Sequence, residues 1–104
     1  MTENSSSELM AMTLIANSGD ARSLVFQALE EAKVGNFDEA DRLLKESDEK
    51  SKIAHHAQTE LLFSEANGDH LELNVLLVHA QDHLMTSMLA VEMIREFITL
   101  YKNE

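Results

Sequence analysis

The apolar positions of the chain fall into three long stretches with the spacing of amphipathic α-helices. The first stretch covers residues 9–32, the second 40–62 and the third 76–101, and in each of them apolar residues recur every three or four positions. This period is typical of helices that bury one face. The pattern therefore predicts three helices and no strands.

The ends of these helices are marked by glycine and by short polar side chains. Gly35 follows the first long stretch and Gly68 follows the second, which is where helices commonly end. Asp38 is predicted to cap the second helix, because a carboxylate can accept from the free N–H groups of a first turn. The third helix is predicted to begin within 70–74 and to run to about Lys102.

The first stretch carries two further signals. Residues 5–8 (SSSE) have the composition of an N-terminal capping segment, and we expect 1–6 to be a flexible N-terminus. Gly19 interrupts the apolar run, and it predicts either a kink or a join between two shorter helices.

Short glycine-containing turns favour antiparallel neighbours, so the predicted fold is all-α, a single domain over 1–104 built as an antiparallel three-helix bundle. The third helix is apolar over more of its circumference than two neighbouring helices can cover. That surplus predicts self-association of the chain.

Composition excludes several classes of function. The chain has no cysteine, so it has no disulfide, thiolate zinc site or thiol nucleophile. A net charge of −11 without any lysine or arginine cluster argues against nucleic acid and anionic membranes. There is no apolar run that could cross a bilayer and no signal-peptide pattern at the N-terminus, so we expect a soluble, cytoplasmic protein without direct membrane insertion.

One segment of the third helix combines titratable and apolar residues. His79, Asp82 and His83 share a helical face within 76–85 (LLVHAQDHLM). The apolar residues Leu76, Met85, Leu89 and Met93 flank them, which predicts that the three lie in or beside a packed interface. Spacing alone leaves three interpretations open: an ordinary helical face, a transition-metal site, and a nucleophilic imidazole whose tautomer is fixed by a hydrogen bond.

Asp82 gains a second interpretation if the chain self-associates. A symmetry axis along the third helix would bring the copies of this carboxylate together, which raises their pKa values or recruits a cation. A cluster of oxygen ligands suits a hard ion such as Mg²⁺.

The segment 76–85 resembles the phosphorylation motif of the IIA component of the lactose/cellobiose class of bacterial sugar phosphotransferase systems. Further similarity lies in 32–40 (AKVGNFDEA) and 54–61 (AHHAQTEL), and the resemblance spans essentially the whole chain. His56 is a departure, because many relatives are expected to carry a less basic polar residue there.

The resemblance implies that His79 accepts a phosphoryl group from the phosphocarrier HPr and passes it to a cysteine of the IIB component, which drives uptake and phosphorylation of a disaccharide of the lactose, cellobiose or chitobiose type. It also implies a homotrimer with one Mg²⁺ shared by Asp82 of each subunit. Because 76–85 contains no lysine or arginine, we expect cationic help from HPr, and further support from Gln81 or His83.

Two other classes of protein remain open on the residues alone. The turn at 32–40 also resembles that of helical-hairpin adaptor modules, although the chain contains no second copy at a fixed period. A metal-binding bundle is the other alternative, and tight Zn²⁺ binding that depends on His79 and His83 would favour it.

Overall fold

The computed structural model describes the backbone of residues 2–104 and the side chains of residues 7–104. Three helices make up this part of the chain: α1 (Thr2–Lys33), α2 (Phe37–Ala66) and α3 (Val75–Lys102). No strand occurs within 2–104. The prediction of an all-α, three-helix fold is confirmed.

Helix α1 is the centre of the structure. Both α2 and α3 pack closely along α1, whereas their backbones lie farther from one another and meet through side chains such as Arg95, which donates to Asp48. The result is an elongated rod of 53 × 21 × 20 Å. Clefts remain between α2 and α3, one lined by Gln58 and Gln81 among others and one by His55 and Met88 among others.

The core forms two clusters along α1, because small residues on that helix let both neighbours approach closely. The cluster at the end of the rod that contains the α1–α2 turn is built from Ala21, Val25, Ala28, Ala32, Ala40, Leu43, Leu44, Val91, Ile94 and Ile98. The cluster at the other end is built from Ala11, Leu14, Ala54, Leu77, Ala80 and Leu84. The second cluster supports the helical turns that carry His79 and His83.

The two predicted glycine turns are confirmed. Gly35 has a φ of 81° and Gly68 a φ of 87°, backbone angles that residues other than glycine rarely adopt. After Gly35, the N–H of Asn36 donates to the carbonyl of Glu31 at 2.9 Å, which closes the end of α1.

The helix starts differ from the predictions. Helix α2 begins at Phe37 with Asn36 as its N-cap residue, so Asp38 lies in the first turn and is not the cap. Helix α3 is capped by Asn74, whose Oδ1 accepts from the N–H of Leu77 at 2.8 Å. Helix α1 begins at Thr2, so residues 5–8 lie inside it and do not form a capping segment.

Met1 and the side chains of residues 2–6 lie outside the described part of the chain. The predicted flexibility of 1–6 therefore stays a prediction.

Helix α1 is continuous through Gly19, so the predicted kink or join at this residue is wrong. A single glycine costs a helix only about 1 kcal/mol. In α1, packing of α2 and α3 along its length outweighs that cost.

The outer face of α3, opposite the core, is apolar and exposed. Met85, Leu89 and Met93 are exposed to 58%, 57% and 51%. Val78 and Leu100 extend the same face toward the two ends of the helix. We call these five residues the outer stripe. His79 and Asp82 are exposed, so the prediction that they and His83 lie in or beside a packed interface is met within one chain through His83, which packs against α1.

A search of the described helices finds none that combines the length and apolar character of a membrane span.

Candidate functional site

His79 lies in the second turn of α3 with its side chain exposed. Because successive residues of an α-helix are about 100° apart, His79 falls between Asp82 and His83 in angle. Asp82 lies on the side of the outer stripe and His83 on the side of α1. His79 therefore occupies the boundary between the apolar outer face and the α1–α3 contact.

His83 is half-buried and packs against α1 of the same chain. Its Nδ1 lies 3.3 Å from Oγ of Ser18 on α1 and 3.5 Å from Oγ of Ser87 on α3. The rings of His79 and His83 have centroids 5.9 Å apart and planes at 85°. The structure thus brings the two predicted histidines together.

Because Gly19 has no side chain, α1 and α3 can approach closely and still leave room for the imidazole of His83. A Cβ built on Gly19 would lie 3.3 Å from Cε1 of His83 and 3.8 Å from Nε2. Any residue other than glycine at this position would displace the imidazole by a few tenths of an ångström. The sequence did not indicate that Ser18 and Gly19 lie beside His83: Gly19 predicted only a kink or a join, and Ser18 gave no signal beyond being a small residue within a long helix.

Asp82 is exposed and lies within the outer stripe, between Val78 and Met85. Within the described residues of one chain, no group of three His, Asp or Glu side chains could hold a metal ion. The carboxylate of Asp82 is thus the only oxygen ligand group that this position offers within one chain. Carboxylates from several copies of the chain would be needed to build a cation site.

Gln81 lies on the opposite side of α3 from His79, because residues two apart on a helix do not share a face. It lines a cleft of about 360 Å³ between the C-terminal half of α2 and the start of α3. The Nε2 of Gln81 and the Oε1 of Gln58 are buried there without a hydrogen-bond partner. The structure does not bring Gln81 beside His79, and its supporting role stays a prediction.

The remaining histidines lie apart from His79. His55 and His56 are both exposed on α2, and Nε2 of His56 lies 3.1 Å from Glu60. His70, in the connection before α3, lies 2.9 Å from Glu65. All three are surface residues.

The surroundings of His79 contain few positive charges. The chain has no lysine or arginine between Lys52 and Arg95. Arg95 itself donates to Asp48 and to the carbonyl of Leu44, near the other end of α3. The site therefore holds an exposed imidazole at the edge of an apolar surface, on a segment of α3 that carries no lysine or arginine of its own.

Comparisons with known proteins agree in the family that they indicate. The family model "PTS system, Lactose/Cellobiose specific IIA subunit" matches residues 9–102. The lactose-specific EIIA component of Streptococcus mutans is 45% identical over 94 residues, which are 90% of this chain and 90% of that protein.

Solved structures show the same similarity. The cellobiose-specific enzyme IIA of Bacillus anthracis superposes with a TM-score of 0.90 at 48% identity, covering 93% of this chain and 89% of that one. A solution structure of the Escherichia coli IIA(chitobiose)–HPr complex gives a TM-score of 0.80 at 44% identity, covering 93% and 94%.

Proposed function

Because the chain belongs to the lactose/cellobiose-specific IIA family of the phosphotransferase system, we propose that it is a phosphoryl carrier and that His79 is the residue that carries the phosphoryl group. The donor is HPr, which is the protein bound to the similar E. coli IIA component in its solved complex. The acceptor is a cysteine of the IIB component, and the transfer drives uptake and phosphorylation of a disaccharide of the lactose, cellobiose or chitobiose type.

The reaction consists of two displacements at phosphorus. The lone pair of a ring nitrogen of His79 attacks, a P–N bond forms, and the bond to HPr breaks with its electron pair leaving to HPr. The IIB thiolate then attacks, a P–S bond forms, and the electron pair of the P–N bond returns to His79. The single observation that carries this proposal is the exposed imidazole on a rigid, well-capped helix, since these transfers depend chiefly on alignment and charge neutralisation.

Positive charge is the part of this chemistry that the site lacks. No lysine or arginine lies between Lys52 and Arg95, so we expect the neutralising cation to come from HPr during transfer. An acidic chain with a net charge of −11 favours partners that present basic surfaces.

We further propose that the chain acts as a homotrimer with its three-fold axis along the outer stripe of α3. This arrangement would bury Met85, Leu89 and Met93, which one chain leaves exposed. It would also bring three copies of Asp82 together, and three carboxylates fit one Mg²⁺ with waters. Mg²⁺ would supply neutralisation of the buried carboxylates, so Asp82 belongs to assembly and not to transfer.

The two alternatives derived from the sequence, a helical adaptor and a metal-binding bundle, are not favoured by the family membership. We place the carrier in the cytoplasm, where its proposed partners would meet it.

The test is the intact mass of the protein after incubation with phosphoenolpyruvate, Enzyme I and HPr. We expect an acid-labile gain of one phosphoryl group in the wild type and none in His79→Ala. His55→Ala is the matched control, because His55 is an exposed histidine on another helix, and it should still gain the group. A gain in His79→Ala would move the site elsewhere. No gain in the wild type, with partners shown to be active, would overturn the carrier function.

A further inference from the structure

The hydroxyl of Ser18 has only one hydrogen, and the distances to its neighbours assign it to a backbone carbonyl of α1. Ser18 is 2% exposed, and its Oγ donates to the carbonyl of Leu14 one turn earlier in α1. The same oxygen lies 3.3 Å from Nδ1 of His83. Because the hydroxyl hydrogen is already used, Ser18 can only accept a hydrogen bond from this nitrogen.

This contact determines the tautomer of a neutral His83. Nδ1 carries the hydrogen and donates to Ser18, and Nε2 keeps a free lone pair. Ser87, whose Oγ lies 3.5 Å from the same Nδ1, is the more distant of the two hydroxyls. The assignment therefore follows from the shorter contact and from the hydrogen that Ser18 has already donated.

Gly19 leaves room for the ring whose tautomer Ser18 sets. The Cε1–Nε2 edge of His83 lies against Gly19, where a Cβ would come within 3.3 Å of Cε1. Nε2 has no hydrogen-bond partner among the described side chains, and the ring of His79 lies one turn away at 5.9 Å and nearly perpendicular.

We propose that Ser18 and Gly19 of α1 hold the imidazole of His83 so that its Nε2 can accept a hydrogen bond from the N–H of His79. We call this pair of residues the seat of His83. The ring centroids are 5.9 Å apart, so this contact requires a side-chain rotation of the exposed His79. The hydrogen of His79 is then held on one nitrogen, and the lone pair of the other nitrogen stays available for the phosphoryl group. Ser18 and His83 are positioning residues in this arrangement, which rests on the proposed carrier function of His79.

The first test reads the tautomer directly, by long-range ¹H–¹⁵N correlation of the imidazoles in the unphosphorylated protein near neutral pH. We expect His83 of the wild type to be protonated on Nδ1. Ser18→Ala removes the oxygen that accepts from Nδ1 and leaves Ser87 as the one hydroxyl within reach among the side chains of 7–104, 3.5 Å away. Because Ser87 can then donate to Nδ1 without competition, we expect the hydrogen to move to Nε2. Wild-type His83 with its hydrogen on Nε2 would overturn the proposal, as would an unchanged tautomer in Ser18→Ala.

The second test measures the rate of transfer from phospho-HPr. Losing one positioning hydrogen bond should slow Ser18→Ala about fivefold. Ser47→Ala is the matched control: Ser47 is an equally buried serine that donates to the carbonyl of Ala21 at 2.9 Å, away from His79. It should transfer at the wild-type rate. Circular dichroism establishes that both variants are folded.

The outcomes separate this inference from the carrier function. A wild-type protein that is never phosphorylated refutes the carrier function, whereas the tautomer of His83 is measured without any phosphoryl donor. A phosphorylated wild type whose Ser18→Ala variant keeps both the tautomer and the full rate refutes the seat alone.

Discussion

Replacing Gly19 by alanine should leave the stability of the fold unchanged or raise it, while lowering the rate of phosphoryl transfer. Gly19 lies in the interior of α1, where the backbone is regular helix. Alanine is the most favourable residue for such a position and glycine is among the least favourable. The only obstacle to the added methyl group is the imidazole of His83, 3.3 Å from the new Cβ.

Two opposing contributions determine how Gly19→Ala changes the free energy of unfolding. The change from glycine to alanine favours the helix by about 1 kcal/mol. The ring of His83 must move by a few tenths of an ångström, which it can do because it is half-buried, and this weakens the 3.3 Å contact with Ser18. A hydrogen bond of this kind contributes about 1 kcal/mol at most. The free energy of unfolding should therefore stay unchanged or rise by up to about 1 kcal/mol.

The rate of phosphoryl transfer should fall in the same variant. Displacement of His83 removes the acceptor that positions His79, so the rate from phospho-HPr should fall about fivefold, as for loss of one hydrogen bond. Thermal unfolding measures the stability, at a fixed protein concentration because association makes Tm concentration-dependent. Rapid-quench detection of the phosphorylated protein measures the rate of transfer.

Ser23→Ala is the control for helix propensity, because Ser23 is exposed on α1 one turn beyond Gly19. It should raise stability slightly and leave transfer unchanged. The reasoning would be refuted if Gly19→Ala lost more than about 1 kcal/mol, which would mean that the ring cannot move. It would equally be refuted if the variant transferred at the wild-type rate.

Three further predictions concern assembly, the core and the surface charges. Asp82→Leu should associate independently of divalent cations, because three buried carboxylates would be replaced by apolar side chains; sedimentation with and without a chelator tests this, and a monomeric variant would contradict it. Ile98→Ala should lose about 2–5 kcal/mol in chemical denaturation, since Ile98 is only 2% exposed. Hydrogen bonds from Arg42 lower the pKa of Glu39 below its ordinary value of 4.5; the stabilisation of the wild type over Arg42→Ala should therefore be present above pH 4.5, disappear as pH falls through the lowered pKa, and decrease with salt. A stability difference that persisted at low pH would contradict that last assignment.

The ends of α1 and α2 were predictable because their chemistry is local. Gly35 and Gly68 adopt positive φ values that few other residues tolerate, so the turn positions can be read from one residue each. The starts of the helices were less well predicted. Asn36 and Asp38 both have side chains suited to an N-cap, and the sequence does not say that the backbone becomes helical at Phe37.

The environment of Gly19 was not predictable, because it depends on tertiary packing. A local propensity of about 1 kcal/mol favoured an interruption, and contacts along the whole of α1 overrode it. The contact between Ser18 and His83 joins residues 65 positions apart. No period or motif along one helix indicates which residue of another helix will face it.

The predicted pair of His79 and His83 was correct because both lie on one helix, where i and i+4 are neighbours whatever the rest of the fold does. The same argument grouped Asp82 with them, although the structure assigns it to the outer stripe. Helical spacing thus brought the three residues onto one broad face, and only the packing of α1 divided that face into two.

The separation of His83 and Asp82 onto two flanks of α3 means that phosphoryl transfer and association can vary independently. Because α1 covers the flank with His83 and leaves the flank with Asp82 open, the proposed transfer geometry and the proposed assembly would rest on different contacts of the same helix. A substitution at Ser18 should change the tautomer of His83 without affecting the outer stripe, and a substitution at Asp82 should change association without affecting the contact of His83 with α1. Asp82→Leu should therefore leave the rate of transfer unchanged, both in the wild-type chain and in Ser18→Ala, as for sites that share no partner. A slower transfer in Asp82→Leu would mean that the neighbouring subunit also positions His79.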